Sequence, residues 1–213
     1  MDASRPILLS TAYLPPIQYI SKFLLGESVF IENQENFQKQ SYRNRCYIYG
    51  ANGRQCLVIP VIKQHGEKTP ISSVEIDYQM PWQKNHLKSI LSAYRTSPFY
   101  EFYADEFNDF FTRRIGLLID WNTCLLKYIL NILHMNTVIQ NTAVYEKYPV
   151  NTIDLRESIH PKKRLCKPDQ RFNPLPYMQV FRERHGFIPN LSIIDLLFNE
   201  GPNAGEVLGG TVA

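Results

Sequence analysis

The stretch Phe37-Gln-Lys-Gln-Ser-Tyr-Arg-Asn-Arg45 holds the densest mixture of chemically useful side chains in the sequence. Lys39, Arg43 and Arg45 are cations of the kind that hold a carboxylate or phosphate, Arg as a planar fork and Lys as a point charge. Tyr42 and Asn44 add a hydroxyl and an amide. The competing reading of such a run is a solvated strand face. His86 is the second candidate: steps of four residues advance only about 40° around a helix, so it shares a face with Trp82, Ile90 and Tyr94. An imidazole there can act as acid or base near neutral pH, or can be a satisfied packing residue. Tyr13 lies in Ala12-Tyr-Leu-Pro-Pro16, where a strand turns into a helix whose first N–H groups suit an anion. The two prolines are equally read as simple helix starters. Glu32 and Glu35 are the nearby carboxylates. No Ser-His-Asp order, H-E-x-x-H or C-x-x-C pattern occurs, so no metal is assigned and no cofactor is named.

Elements that position these residues follow from hydrophobic periodicity. Residues 7 to 12 read as a buried strand, and Ile17, Ile20, Phe23 and Leu24 as one stripe of a helix that Gly26 closes. Residues 28 to 32 form a second strand, giving a β-turn-α-β opening with parallel strands. Residues 42 to 49 and 55 to 62 flank Asn52-Gly53, a strong hairpin signal. With Asn52-Gly53 as the turn, position 46 faces 59. Cys46, Ile48, Leu57 and Ile59 then share the core face, and Arg43, Arg45, Tyr47 and Tyr49 the outer one. Asn44 falls on the core face, where an amide needs a partner. Residues 71 to 77 add an alternating strand.

The second half is mostly helical. Leu87, Ile90, Leu91 and Tyr94 keep helical spacing, as do Leu118, Trp121, Leu125, Tyr128, Ile129 and Ile132, with a short aromatic helix over 100–111 between them. Residues 138 to 140 are a last strand. Residues 154 to 186 mix Pro161, Pro168, Pro174 and Pro176 with eight Lys or Arg and four acidic residues, which reads as an extended basic arm. Asn190 or Ser192 caps a final helix over 190–199, ended by Gly201-Pro202, and no regular structure is expected from Gly205 on. The expected fold class is α/β: one domain over 1–213, with a mixed sheet containing the β-turn-α-β unit and the hairpin, a core at 7–140, the arm and the C-terminal helix.

Bulk properties exclude more than they name. A chain of 213 residues with 44% apolar side chains sustains one core. A net charge of +3 is too mild to make nucleic acid a leading partner. Asp120, Asn122 and Lys127 interrupt the best membrane-span candidate, and no secretion signal is read at the start. Cys46 and Cys56 point to opposite sides of the hairpin, so no bridge is expected there, which fits a cytoplasmic location.

Taken in order, Tyr13-Leu-Pro-Pro-Ile-Gln-Tyr19, Asn36-Phe-Gln-Lys39, Ser41-Tyr-Arg-Asn-Arg45 and Asn85-His86 with Tyr94 and Pro98-Phe99 resemble the WbqC-like protein family. The resemblance covers roughly residues 7 to 140. It implies a link to surface polysaccharides of the O-antigen type and, through a glycine transferase role proposed for the family, transfer of a small aminoacyl group to an activated sugar. The sequence departs from the family pattern in having Thr11-Ala12 for Gln-Pro, Glu32-Asn33 for paired aspartates and Asn85-His86 for His-His. The arm and the last helix lie outside the resemblance.

These readings converge on a transferase-like site. Lys39 and Arg45 hold the phosphate or carboxylate of an activated donor, Asn44 orients it, His86 deprotonates the acceptor, and Tyr13, Tyr42 and Tyr94 complete the lining. The expected partner is a small molecule or activated sugar, and the oligomeric state is left open. The rival reading is a non-enzymatic binding or scaffold protein of a polysaccharide-assembly system, with the basic arm as its docking segment.

Overall fold

A computed structural model describes residues 5–25, 28–62, 68–162 and 164–212. The expected helix closure at Gly26, and Lys163 of the basic run, lie outside them. Strand β1 (Ile7–Ser10) is buried along its whole length, because neighbours flank it on both edges and chain covers both faces. It pairs in parallel with β2 (Val29–Glu32) and with the two-residue β6 (Ile153–Asp154), and β2 pairs in parallel with β5 (Ile139–Asn141). The sheet order is β5-β2-β1-β6. Helix α1 (Ile17–Ser21), continued by a 3-10 turn, makes the crossover between β1 and β2. The architecture is α/β, with a parallel sheet, an antiparallel hairpin on a separate ladder, and helices concentrated in the second half.

The hairpin joins β3 (Arg45–Gly50) and β4 (Gly53–Val58) through Ala51 and Asn52, so Cys46 faces Leu57 and not residue 59. Gly53 takes the left-handed φ of +92° and Asn52 does not, which moves the turn one residue back and the register by two. Glycine accepts that φ without a Cβ clash. Side chains alternate with a period of two, so a two-residue shift leaves the faces unchanged. Asn44, Cys46, Ile48, Leu57 and Ile59 are all buried as that parity requires. The other face departs from expectation: Arg43 and Tyr49 are buried as completely as the core face. All four cysteines are free thiols.

Residues 71 to 77 do not form the expected strand. A 3-10 turn (Ile71–Ser73) is followed by isolated bridges from Glu75 and Ile76 to neighbouring chain. Helices α2 (Trp82–Tyr94), α3 (Tyr100–Thr112) and α4 (Leu118–Ile132) follow. The buried stripe of α2 runs through Trp82, His86, Ile90 and Tyr94, while Leu91 of the alternative stripe is exposed. Trp82 and Trp121 pack edge to face beneath Phe111, and Phe198 inserts among Tyr94, Tyr100, Tyr103 and Phe107. Phe198 belongs to α6 (Ile193–Glu200), which follows the four-residue α5 (Arg182–His185). The expectation of no structure after Gly205 gives way to α7 (Ala204–Gly210), whose Ala204 and Leu208 are fully buried. Among the described residues no helix is long and apolar enough to cross a membrane.

Candidate functional site

Three extended segments lie side by side beneath residues 37–45. Ile59 N donates to Asn44 O (2.8 Å), Val61 bridges Ile76, and Asp77 N donates to Pro60 O (2.9 Å). A wall rises where Phe37 N donates to Thr69 O (2.8 Å) and Asn36 bridges Pro70. The cleft they enclose measures about 770 Å³ and is lined by Lys39, Asn44, Arg45, Val58, Lys68 and Asp77 among others. Lys39 and Lys68 are exposed, and Arg45 and Asp77 half-buried.

Two buried polar atoms in this lining lack a partner. Asn44 donates through Nδ2 to Ile59 O (2.9 Å), but its Oδ1 accepts nothing, and the Arg45 Nε is also unpaired. An orphaned buried donor or acceptor costs about 1–3 kcal/mol. Both atoms belong to residues of the cleft lining but are themselves shielded from the open volume. Among the described residues none of Lys39, Arg45, Lys68 and Asp77 is in a salt bridge.

The structure brings Lys39, Asn44 and Arg45 together and places the other four expected site residues elsewhere. Tyr13 and His86 form a buried pair, with the Tyr13 hydroxyl 2.9 Å from His86 Nδ1. The Val58 backbone is the second hydrogen-bonding partner of the ring, so the neutral imidazole accepts from Tyr13 and donates toward Val58. Burial lowers its pKa to about 4, against the opposing pull of Val58. His86 thus stands behind the cleft wall, with both nitrogens engaged. Tyr42, buried and outside the cleft lining, packs edge to face on Tyr47. Tyr94 belongs to a different buried network: its hydroxyl donates to Asp195 Oδ1 (2.8 Å) and accepts from Tyr49 N (3.0 Å).

Asp195 is fully buried and also accepts from the Tyr177 hydroxyl and from Gln179 Nε2 (2.9 Å). Burial raises its carboxyl to a pKa of about 6, although all three donors pull it down. This network ties α2, α6 and residues 177–179 together. The lone Asp in an apolar helical run, Leu191-Ser-Ile-Ile-Asp-Leu-Leu-Phe198, was its only trace in the sequence.

The nearby carboxylates are consumed by buried arginines. Glu35 takes Arg43 in a bidentate pair, Nε to Oε1 at 2.8 Å and a second bond from Nη2, which also reaches Ser10 Oγ (2.8 Å) and Glu157 (3.1 Å). Glu32, fully buried, takes Arg156 (3.0 Å) together with the Thr142 hydroxyl (2.6 Å). Both pairs stand at the C-terminal ends of the parallel strands, where open α/β sheets keep ligands. The helix N-terminus after Tyr13 is likewise filled, since Ile17 N donates to Leu191 O (3.0 Å) and Gln18 N to Asn190 Oδ1 (2.9 Å). An anion site there, expected from the Pro15-Pro16 turn, has no free donors left at these two positions. Among the described residues no cluster of three or more metal-ligating side chains occurs.

Comparison with known proteins gives one match: a family model described as WbqC-like protein family, over residues 11–163 and 169–207. It extends past residue 140 to take in the basic segment and the last helices. No curated protein and no solved structure matches the chain.

Proposed function

The chain belongs to the WbqC-like protein family, and from that premise we propose that it is a cytoplasmic transferase of surface-polysaccharide (O-antigen-type) biosynthesis, carrying a small aminoacyl group such as glycine to an activated sugar. The observation behind this reading is the 770 Å³ cleft, where Lys39 and Arg45 have no carboxylate partner among the described residues. Its volume suits a ligand of drug or nucleotide size. Lys39 and Arg45 hold the phosphate or carboxylate of the donor, and Asn44, bonded through Nδ2 to Ile59 O, orients it by fixing the wall on which they stand. His86 is a positioning residue in this scheme: with Tyr13 it braces Val58, and its ring has no free lone pair to take a proton from the acceptor. Tyr42 and Tyr94 hold the scaffold and do not touch substrate.

A thermal-shift screen of nucleotides, nucleotide sugars and amino acids tests this, because a ligand bound only by the folded state raises apparent stability. The expected result is a shift with an anionic ligand that Lys39→Ala, Asn44→Ala and Arg45→Ala each abolish, with matching loss of aminoacylated surface glycan. A ligand shift unchanged in Asn44→Ala and Arg45→Ala removes the cleft from consideration.

One observation favours the second reading, a non-enzymatic binding or scaffold protein of the same assembly system. Among the described lining residues of the cleft there is no Cys, His or Ser, and His86 is committed elsewhere. That reading predicts ligand binding without turnover. Deleting 154–186 cannot test a docking role, since it removes Arg156, Tyr177 and Gln179 from buried networks. Lys162→Glu with Arg164→Glu tests it with the fold kept.

A further inference from the structure

The cleft carries charge of both signs, arranged at opposite ends. Lys39 and Lys68 stand on the wall formed by residues 37–40 and 68–69, and Arg45 at the start of β3 beside Val58. Asp77 lies across the floor, on the segment next to Pro60. Arg45 lies opposite Val58 and Asp77 opposite Pro60, so their backbones stand two inter-strand steps apart and two residues offset, roughly 12 Å. Asp77 is the only acidic residue among the described lining of the cleft, and it is bonded to none of the three cations. One of its oxygens, Oδ1, accepts from Gln79 N (2.8 Å), which fixes the carboxylate in place, while Oδ2 accepts nothing from the described residues.

We propose that Asp77 is the specificity-determining residue of this cleft and binds the free primary amine of a small anion whose negative group sits between Lys39 and Arg45. The inference rests on the cleft being the ligand site and deepens it by naming the ligand class: an amine-bearing phosphate or carboxylate, the charge pattern of an aminoacyl donor. Held at opposite ends of the cleft, these charges do not pair with one another. A ligand carrying both charges satisfies them together, because an ammonium gives Asp77 Oδ2 a charge-assisted hydrogen bond while the anion takes the cations. A simple anion satisfies only one end. Gln79 N holds the carboxylate before the ligand arrives, so little side-chain freedom is lost on binding.

Isothermal titration of the full chain with 2-aminoethyl phosphate and with ethyl phosphate tests this, since the two differ only in the amine. The expected result is binding about tenfold tighter for 2-aminoethyl phosphate, the size of one charge-assisted bond. Asp77→Asn, which keeps the turn to Gln79, brings the two affinities together, and Asp77→Glu keeps most of the preference. Lys39→Ala weakens both ligands alike. Equal binding of the two phosphates by the unaltered protein, or a preference that survives Asp77→Asn, overturns the assignment of Asp77 while leaving an anion cleft in place. Binding of neither phosphate overturns the anion cleft itself, and the assignment with it.

Discussion

His86 and Asp195 are buried groups displaced in opposite directions, and acid titration separates them. For His86 the folded value of about 4 lies below the unfolded 6.5, so the unfolded chain takes the proton first. Its contribution is full above pH 6.5 and is lost as pH falls toward 4, about 3 kcal/mol in all. For Asp195 the folded value of about 6 lies above the model-peptide 3.8, so the folded state binds the proton first. Its contribution is present below pH 3.8 and is lost as pH rises through 6, again about 3 kcal/mol. The two oppose each other across nearly the same window. Denaturant melts at pH 7 and pH 4.5 check this: relative to the unaltered protein, His86→Leu loses less stability on acidification and Asp195→Asn loses more. Equal pH dependence in all three proteins rejects the displaced values.

Within the hairpin, Arg43 and Arg45 are two residues apart on one face and have different environments. Arg43 is buried in its bidentate pair with Glu35, whereas Arg45 borders the cleft with no carboxylate partner among the described residues. Removing one member of a buried ion pair strands the other charge and costs about 3–5 kcal/mol. Arg43→Met or Glu35→Met is therefore expected to lower the unfolding free energy by that amount. Arg45→Met is expected to change it by less than about 1 kcal/mol and to act on ligand binding instead. Urea unfolding of the three variants decides it, and equal losses count against the division of roles.

Across the whole molecule, residues 154–200 act as a clasp and not as a free arm. Arg156 neutralises Glu32 in the sheet, Asp169 takes the almost fully buried Lys22 of the 3-10 turn after α1 (2.6 Å), and Tyr177 meets Asp195. Bonds from Ser192 Oγ to Leu14 O (2.8 Å) and from Ile193 N to Pro15 O (2.8 Å) hold the Tyr13 turn, where Leu14 adopts φ +38° while fully buried. A chain ended after residue 153 leaves Lys22, Glu32 and Arg43 short of partners and opens the core around Phe198. It is expected to lose near-UV circular dichroism and cooperative melting, and a cooperatively folded fragment disproves the clasp.

Composition and periodicity alone determined the α/β class, the β-turn-α-β opening, the alternation of the hairpin faces and the order of the three longest helices. These depend on local alternation and turn chemistry, and side-chain parity survives even the two-residue register error at Asn52-Gly53. Only the tertiary structure decided which side chains of residues 37–45 line the cleft. The outer face of β3 is buried because residues 181–192 pack on it: Tyr49 donates to Gly186 O (2.7 Å), and Ser192 N to Tyr47 O (2.8 Å). Nothing within the hairpin encodes that. Arg43 found its carboxylate eight residues back at Glu35, and Arg156 found Glu32 across the sheet, as the penalty for burying an unpaired charge demands. Arg45, Lys39 and Asp77 stand without ion pairs around the cleft because no described segment brings an opposite charge to them, and sequence spacing does not show which charges a distant segment will reach.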